Sequence, residues 1–224
     1  MPAKGERPDR PFTGYKLAHA VLSADGTRAG FAGLTLGATN VYGAVGDACC
    51  VWNRKHAPPR RWCGCGFYCL HDLADARSLG CATENRSALI LEVTASGRYI
   101  RYERGLRYSR QRVRAILDAQ CACGRACAAL ADAGSGLIGW RHLAPVCEAC
   151  TAGRPALALT QFAARLDGAV HGAVLVAPML SRDLPGPSVP PGTGGAGEPP
   201  FAVLAAEIAL LHARLDDLQS RLDK

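Results

Sequence analysis

The segment SALILEVTASGRYIRYERGLRYSRQRVRAILDAQ, residues 87–120, decides what kind of core this chain can build. Its first part, 88–94, is a run of Ala, Leu, Ile, Val and Thr broken only by Glu92, which suits a buried strand. Ala95-Ser96-Gly97 supplies turn chemistry, so the stretch near 98–104 reads as the return strand of a β-hairpin. From Arg110 onward, Val113, Ile116 and Leu117 fall at helical spacing, a pattern that the cysteines beginning at Cys121 then interrupt. A hairpin feeding a helix makes the expected class α+β, a small mixed domain spanning residues 12–181.

Working outward, GYKLAHAVLS (14–23) reads as a first strand closed by the turn residues Ala24-Asp25-Gly26-Thr27. HDLADARSLG (71–80) reads as a short helix, with Leu73, Ala76 and Leu79 on one face and Gly80 as its stop. A further helix is expected at about 155–166. Residues 1–11 form a polar leader, and 182–200, RDLPGPSVPPGTGGAGEPP, form a Pro/Gly linker whose composition buries nothing. In residues 201–224, Leu204, Ile208, Leu211, Leu215, Leu218 and Leu222 alternate spacings of four and three, the seam of a coiled-coil helix. Its expected partner is a second copy of the chain or another coiled-coil protein.

The chain has 224 residues, 49% of them apolar but only 6% aromatic, so its core must be built from Ala, Val and Leu. The net charge of +7 is unevenly placed: residues 1–150 carry +8 and the remainder −1. The N-terminal residues contain no apolar core of a signal peptide, and no stretch approaches the roughly 20 apolar residues of a membrane span. The expected compartment is the cytoplasm, where eleven cysteines stay reduced and point to metal rather than disulfides.

The cysteines fall into two groups. In the first, Cys63-Gly64-Cys65-Gly66 puts two thiols on a glycine-containing turn, behind His56 and the Cys49-Cys50 pair. Cys50, His56, Cys63 and Cys65 supply three thiols and an imidazole for a tetrahedral ion, with Cys49, Cys69 or His71 as substitutes. The second group is Cys121, Cys123 and Cys127 followed by Cys147-Glu148-Ala149-Cys150, two close-spaced clusters at zinc-ribbon separation. Cys123, Cys127, Cys147 and Cys150 form the expected set, with Cys121 as the alternative to Cys123. Thiolate-rich tetrahedral sites select Zn²⁺ or iron–sulfur clusters, and the tandem runs of ferredoxins are absent, so Zn²⁺ is expected at both zinc-knuckle or zinc-ribbon-like sites.

The run His56-Ala57-Pro58 through Cys63-Gly64-Cys65-Gly66-Phe67-Tyr68, preceded by a cysteine and followed by a hairpin containing ERGLR, resembles an uncharacterised Cys/His-rich family of high-GC Gram-positive bacteria. That family pairs an H-x-A-P-like segment with C-x-C-G-x-Y, and the resemblance covers residues 14–114. Cys69 stands where a small Ala is usual, and Tyr108 shifts the arginine motif. The resemblance implies a metal-bearing module and no particular activity.

Enzymatic motifs fit poorly. WCGCG has one residue between its cysteines where a thioredoxin-like site needs two. Pro145-Val146-Cys147 with Cys150 echoes half of a zinc-deaminase signature, but the H-x-E half is missing. The GTGGAG stretch lies in the linker with no strand before it. The remaining lead is the basic segment, where Arg98, Arg101, Arg104, Arg107 and Arg110 recur every third residue with Tyr99, Tyr102 and Tyr108 interleaved. Arginine pairs with phosphate and tyrosine stacks on bases, so nucleic acid is one expected partner. Strand alternation would split these arginines between two faces, and acidic neighbours could pair with them. The expected function is therefore a non-enzymatic zinc-binding interaction or regulatory module that contacts nucleic acid through the hairpin. The alternative is a protein adaptor or assembly component, with a thiol or zinc enzyme behind both.

Overall fold

The computed structural model describes residues 11–34, 40–50, 52, 55–151, 153–167 and 174–178. The chain divides into two units, Met1–Arg182 and Asp183–Lys224, and every described residue belongs to the first. The linker at 182–200 and the heptad seam from Leu204 to Leu222 lie outside the described residues.

The domain is mostly antiparallel β-sheet, which overturns the α+β expectation. The cause lies in the segment that seemed decisive. Its hairpin is far longer than expected, with β6 at Leu89–Arg101 and β7 at Gly105–Asp118, and the chain turns at 102–104. Ala95-Ser96-Gly97 does not turn. It lies inside β6, where the register slips between Ser96↔Arg110 and Tyr99↔Tyr108. Gly97 takes a left-handed φ of 76° to form a bulge, and the Arg98 amide donates to Ser109 Oγ at 2.9 Å. The expected helix from Arg110 is the second half of β7. Gln111, Val113 and Ala115 are buried while Arg112 and Arg114 are not, a two-residue period that overrides the helical spacing of Val113, Ile116 and Leu117.

Upstream, β1 (Phe12–Ser23), β2 (Ala29–Ala32), β3 (Val41–Tyr42), β4 (Val45–Asp47) and β5 (Phe67–Leu70) precede the hairpin. Downstream come β8 (Ala129–Leu137), β9 (Trp140–Val146), β10 (Ala156–Ala158) and β11 (Leu175–Val176). The described helices are short: α1 Leu73–Gly80, α2 Glu148–Thr151 and α3 Leu159–Ala164. Expected as a helix from 71 to 80, α1 presents Leu73, Ala76 and Leu79 to a small cluster with Leu17, Ala88 and Ile90. The helix expected at 155–166 is instead strand β10 followed by α3. No described helix is long and apolar enough to cross a membrane.

Four strands close on one another. Phe12–Ala18 of β1 pair with β6, β6 pairs with β7, β7 pairs with β5, and β5 returns to β1 through Leu70↔Tyr15. Closing so few strands demands strong local bending, which the three register slips of the hairpin supply. Beyond Ala18, β1 leaves this ring and pairs with β2 and β9, and β9 continues through β8 to β10 as a second sheet. Phe31, Leu89, Leu91, Leu106, Tyr108, Ile116, Leu130 and Phe162 form the centre of the shared core.

Candidate metal centres

Each cysteine group sits on loops that the sheet holds in place. In the first, Cys63 donates its amide to the Arg60 carbonyl at 3.0 Å, closing a tight turn with Arg61 and Trp62 at its tip. Gly66 then takes a φ of 122°, which lets the chain enter β5 directly after Cys65. Arg107 of β7 fastens this knuckle to the sheet. Its guanidinium donates to the Cys63 carbonyl and, at 3.0 Å, to the Arg60 carbonyl, and lies between the rings of Tyr68 and Tyr102.

The result brings together the donor atoms of Cys50, His56, Cys63 and Cys65, all within 4.8 Å of one another. Cys50 and Cys63 sulfurs are 3.7 Å apart, and His56 Nε2 is 3.2 Å from Cys65 Sγ. Thiolates about 2.3 Å from a tetrahedral ion are about 3.7 Å apart, so the donor set is already near the spacing an ion would impose. Burial pushes the Cys65 thiol up to about 11, a cost that coordination by a cation would remove. The substitutes are elsewhere: Cys49 takes a hydrogen bond from Asn40 Nδ2 at 3.0 Å, Cys69 faces the interior beside Lys16, and His71 Nε2 lies 3.3 Å from the Tyr102 carbonyl.

The second site differs from expectation by one ligand. Cys121, Cys123, Cys147 and Cys150 converge within 4.8 Å, and Cys127 does not join them. The Cys121 amide donates to the Arg125 carbonyl and the Gly124 amide to the Cys121 carbonyl, so residues 121–125 curl into a second knuckle. Past its closing bridge, Gln120↔Ala126, the chain heads inward. Cys127 is buried in the core, with its sulfur 3.1 Å from the Ala129 carbonyl oxygen and its thiol pushed up by burial to about 11. Both Cys121 and Cys123 are therefore in the set, where sequence spacing offered them as alternatives.

On the opposite side, Cys147 precedes α2, whose first turn aims the Cys150 amide back at it. That amide pulls the Cys147 thiol down to about 6. Hydrogen bonds with Cys121, Cys147 and Cys123 hold the proton on Cys150, which rises to about 12. Four thiols this close cannot all ionise without a cation among them, so the donor chemistry suits a divalent ion. Both clusters can hold a metal ion.

The arginine segment does not form one patch. Arg104 pairs with Asp75, Arg110 Nε is 3.5 Å from Asp47, and Arg107 is 4% exposed and serves the first knuckle. Arg101 is exposed with its guanidinium 5.3 Å from the Phe12 ring, and Tyr99 meets the same ring edge-on. Arg98 is half-buried at the bulge, and Tyr102 stays largely exposed. Sequence reading missed the anchoring role of Arg107 and the buried Lys16. Strand parity was the available signal for Lys16, which shares a face with Gly14, Ala18, Ala20 and Leu22. No protein-family profile, curated protein or solved structure matches this chain.

Proposed function

We propose that this chain is a non-enzymatic binding module whose β-domain is clamped by two structural Zn²⁺ ions. The observation that carries the reading is the convergence of two complete four-donor sets on loops that the sheet itself fixes. A tetrahedral ion with four protein ligands has no position left for water or substrate, which favours a structural over a catalytic role. The all-sulfur second set and the three sulfurs of the first suit Zn²⁺, and such ions contribute on the order of 10–16 kcal/mol of apparent binding free energy to folding. That contribution suits a chain with few aromatic core residues. Reduced thiols fit a cytoplasmic setting, and the domain's work is then to present a rigid surface to a partner.

Elemental analysis of freshly purified protein, paired with its absorption spectrum, tests this reading. The expected result is two colourless zinc ions per chain, released by a chelator together with loss of the β-sheet circular dichroism signal. Visible charge-transfer bands, or a chain that keeps its fold with both ions removed, would refute it.

A further inference from the structure

Between Asp47 and Asp72 the chain carries Arg54, Lys55, Arg60 and Arg61 and no acidic residue. Within this basic stretch, Arg61 and Trp62 occupy the tip of the turn closed by the hydrogen bond from Cys63 to Arg60. Trp62 is 66% exposed, an unusual placement for a large indole that could otherwise be buried. Two tyrosines stand on the same support: Tyr68 is 50% and Tyr102 47% exposed, their rings flanking the Arg107 guanidinium at 5.7 and 5.9 Å. The guanidinium holds the carbonyls of Arg60 and Cys63, so the turn tip and both tyrosines are fixed by one buried side chain. Tyr68 is locked further by its hydroxyl, which donates to the Gly64 carbonyl at 3.0 Å. Among the described residues no ion pair engages Lys55, Arg60 or Arg61, and all three are exposed.

Rigid exposed rings flanked by uncompensated cations are the two components of a single-strand platform: π faces for bases and positive charge for the phosphates. We infer that the first knuckle binds single-stranded nucleic acid, with bases stacking on Trp62 and Tyr102 and phosphates lying against Lys55, Arg60 and Arg61. A duplex hides its base faces, so stacking of this kind selects single strands. The inference rests on the zinc-module reading, because the first metal site shapes the turn that carries Arg61 and Trp62. It relocates the nucleic-acid surface from the arginine hairpin, whose cations are largely engaged within the fold.

The test is fluorescence anisotropy of a labelled oligothymidylate of about ten nucleotides, within the site sizes of such platforms, with the full zinc-loaded chain. The matching duplex and polyglutamate serve as competitors. Three phosphate contacts predict a log–log salt slope of about −2, falling to about −1.4 in Arg61→Ala. Loss of one stacked base predicts about tenfold weaker binding in Trp62→Ala. Both variants change the exposed tip of a turn, and each is assayed for two bound metal ions before its affinity is read. No binding by the metal-loaded chain, equal competition by the duplex or polyglutamate, or a metal-loaded Trp62→Ala protein with unchanged affinity would each overturn the inference. The zinc-module reading would stand in those cases; only failure of the wild-type chain to hold metal would remove it.

Discussion

Among the described residues Lys16 is the one lysine in the core, 8% exposed on the inward face of β1. Its Nζ donates to Gln111 Oε1 at 3.3 Å and lies 4.6 Å from the ring centres of both Tyr42 and Phe67. Tyr108 donates to the same Gln111 oxygen, and Cys69 also faces the amine. Burial pulls the amine from 10.5 down to about 7. At about 1.4 kcal/mol per pH unit, this shift amounts to about 5 kcal/mol against the folded state where both states are protonated, and to about 4 kcal/mol at pH 7. The folded pKa lies below the unfolded one, so the unfolded chain binds more protons between them. Stability therefore rises with pH from about 7 to 10.5 and levels off on either side. Replacing the amine in Lys16→Met removes this penalty and sacrifices one hydrogen bond and two ring contacts, about 1 kcal/mol together. The variant is expected to be more stable by about 3 kcal/mol at pH 7 and by about 1 kcal/mol at pH 9. Urea unfolding of both proteins in excess Zn²⁺ at the two pH values measures this. The Cys127 thiol, pushed up to about 11, acts with the opposite sign above pH 9 and is shared by both proteins; Cys69, also pushed up to about 11, loses the amine beside it and stays protonated in both folded proteins at pH 7 and 9. A difference that does not change with pH, or a Met variant less stable at pH 7, would refute the assignment of a neutralised buried amine.

Further outcomes separate the two metal sites. Cys121→Ser is expected to leave one zinc ion per chain, whereas Cys127→Ser keeps two and loses about 1 kcal/mol of stability, because its sulfur serves the core; elemental analysis and urea unfolding distinguish them. Gly66→Ala forces a Cβ to within 3.0 Å of Arg107 Cγ and 3.2 Å of Pro59 at a φ of 122°. It should cost about 1–3 kcal/mol and weaken metal binding at the first site alone, as read by chelator titration. Arg107→Lys keeps the charge but cannot span two carbonyls with a planar fork. Faster zinc release from the first site, with the second unchanged, is the expected result in stopped-flow chelation.

Ligand identity was legible where it depended on residue type and short spacing. His56, Cys63 and Cys65 lie within one loop, and Cys147 with Cys150 within one helical turn, so chemistry alone nominates them. Choosing between Cys121 and Cys127 required knowing where the chain reverses, and the bridge Gln120↔Ala126 that decides this leaves no mark in composition. The fold was less legible because two periods coexist in RQRVRAIL: Val113, Ile116 and Leu117 satisfy a helix, while Arg110, Arg112 and Arg114 alternate as on a strand. Pairing with β6 on one side and β4 on the other settled the conflict in favour of the strand. Ala95-Ser96-Gly97 reads as a turn because bulges and turns make the same local demand for a positive φ, met here by Gly97 at 76°.

The division of β1 between two sheets bears on how the chain is made. Leu17 pairs with Ile90, while Ala20 waits for Leu143 on β9. At about 5–20 residues per second, a ribosome needs on the order of ten seconds to deliver that second partner. Throughout this interval the later half of β1 lacks one neighbouring strand and is open to pairing with other nascent chains. The donors from Cys50 to Cys65, by contrast, emerge together within one short loop. An ion held by these donors would thus be among the earliest long-lived links open to the growing chain, formed well before the strand that covers the later half of β1 is made.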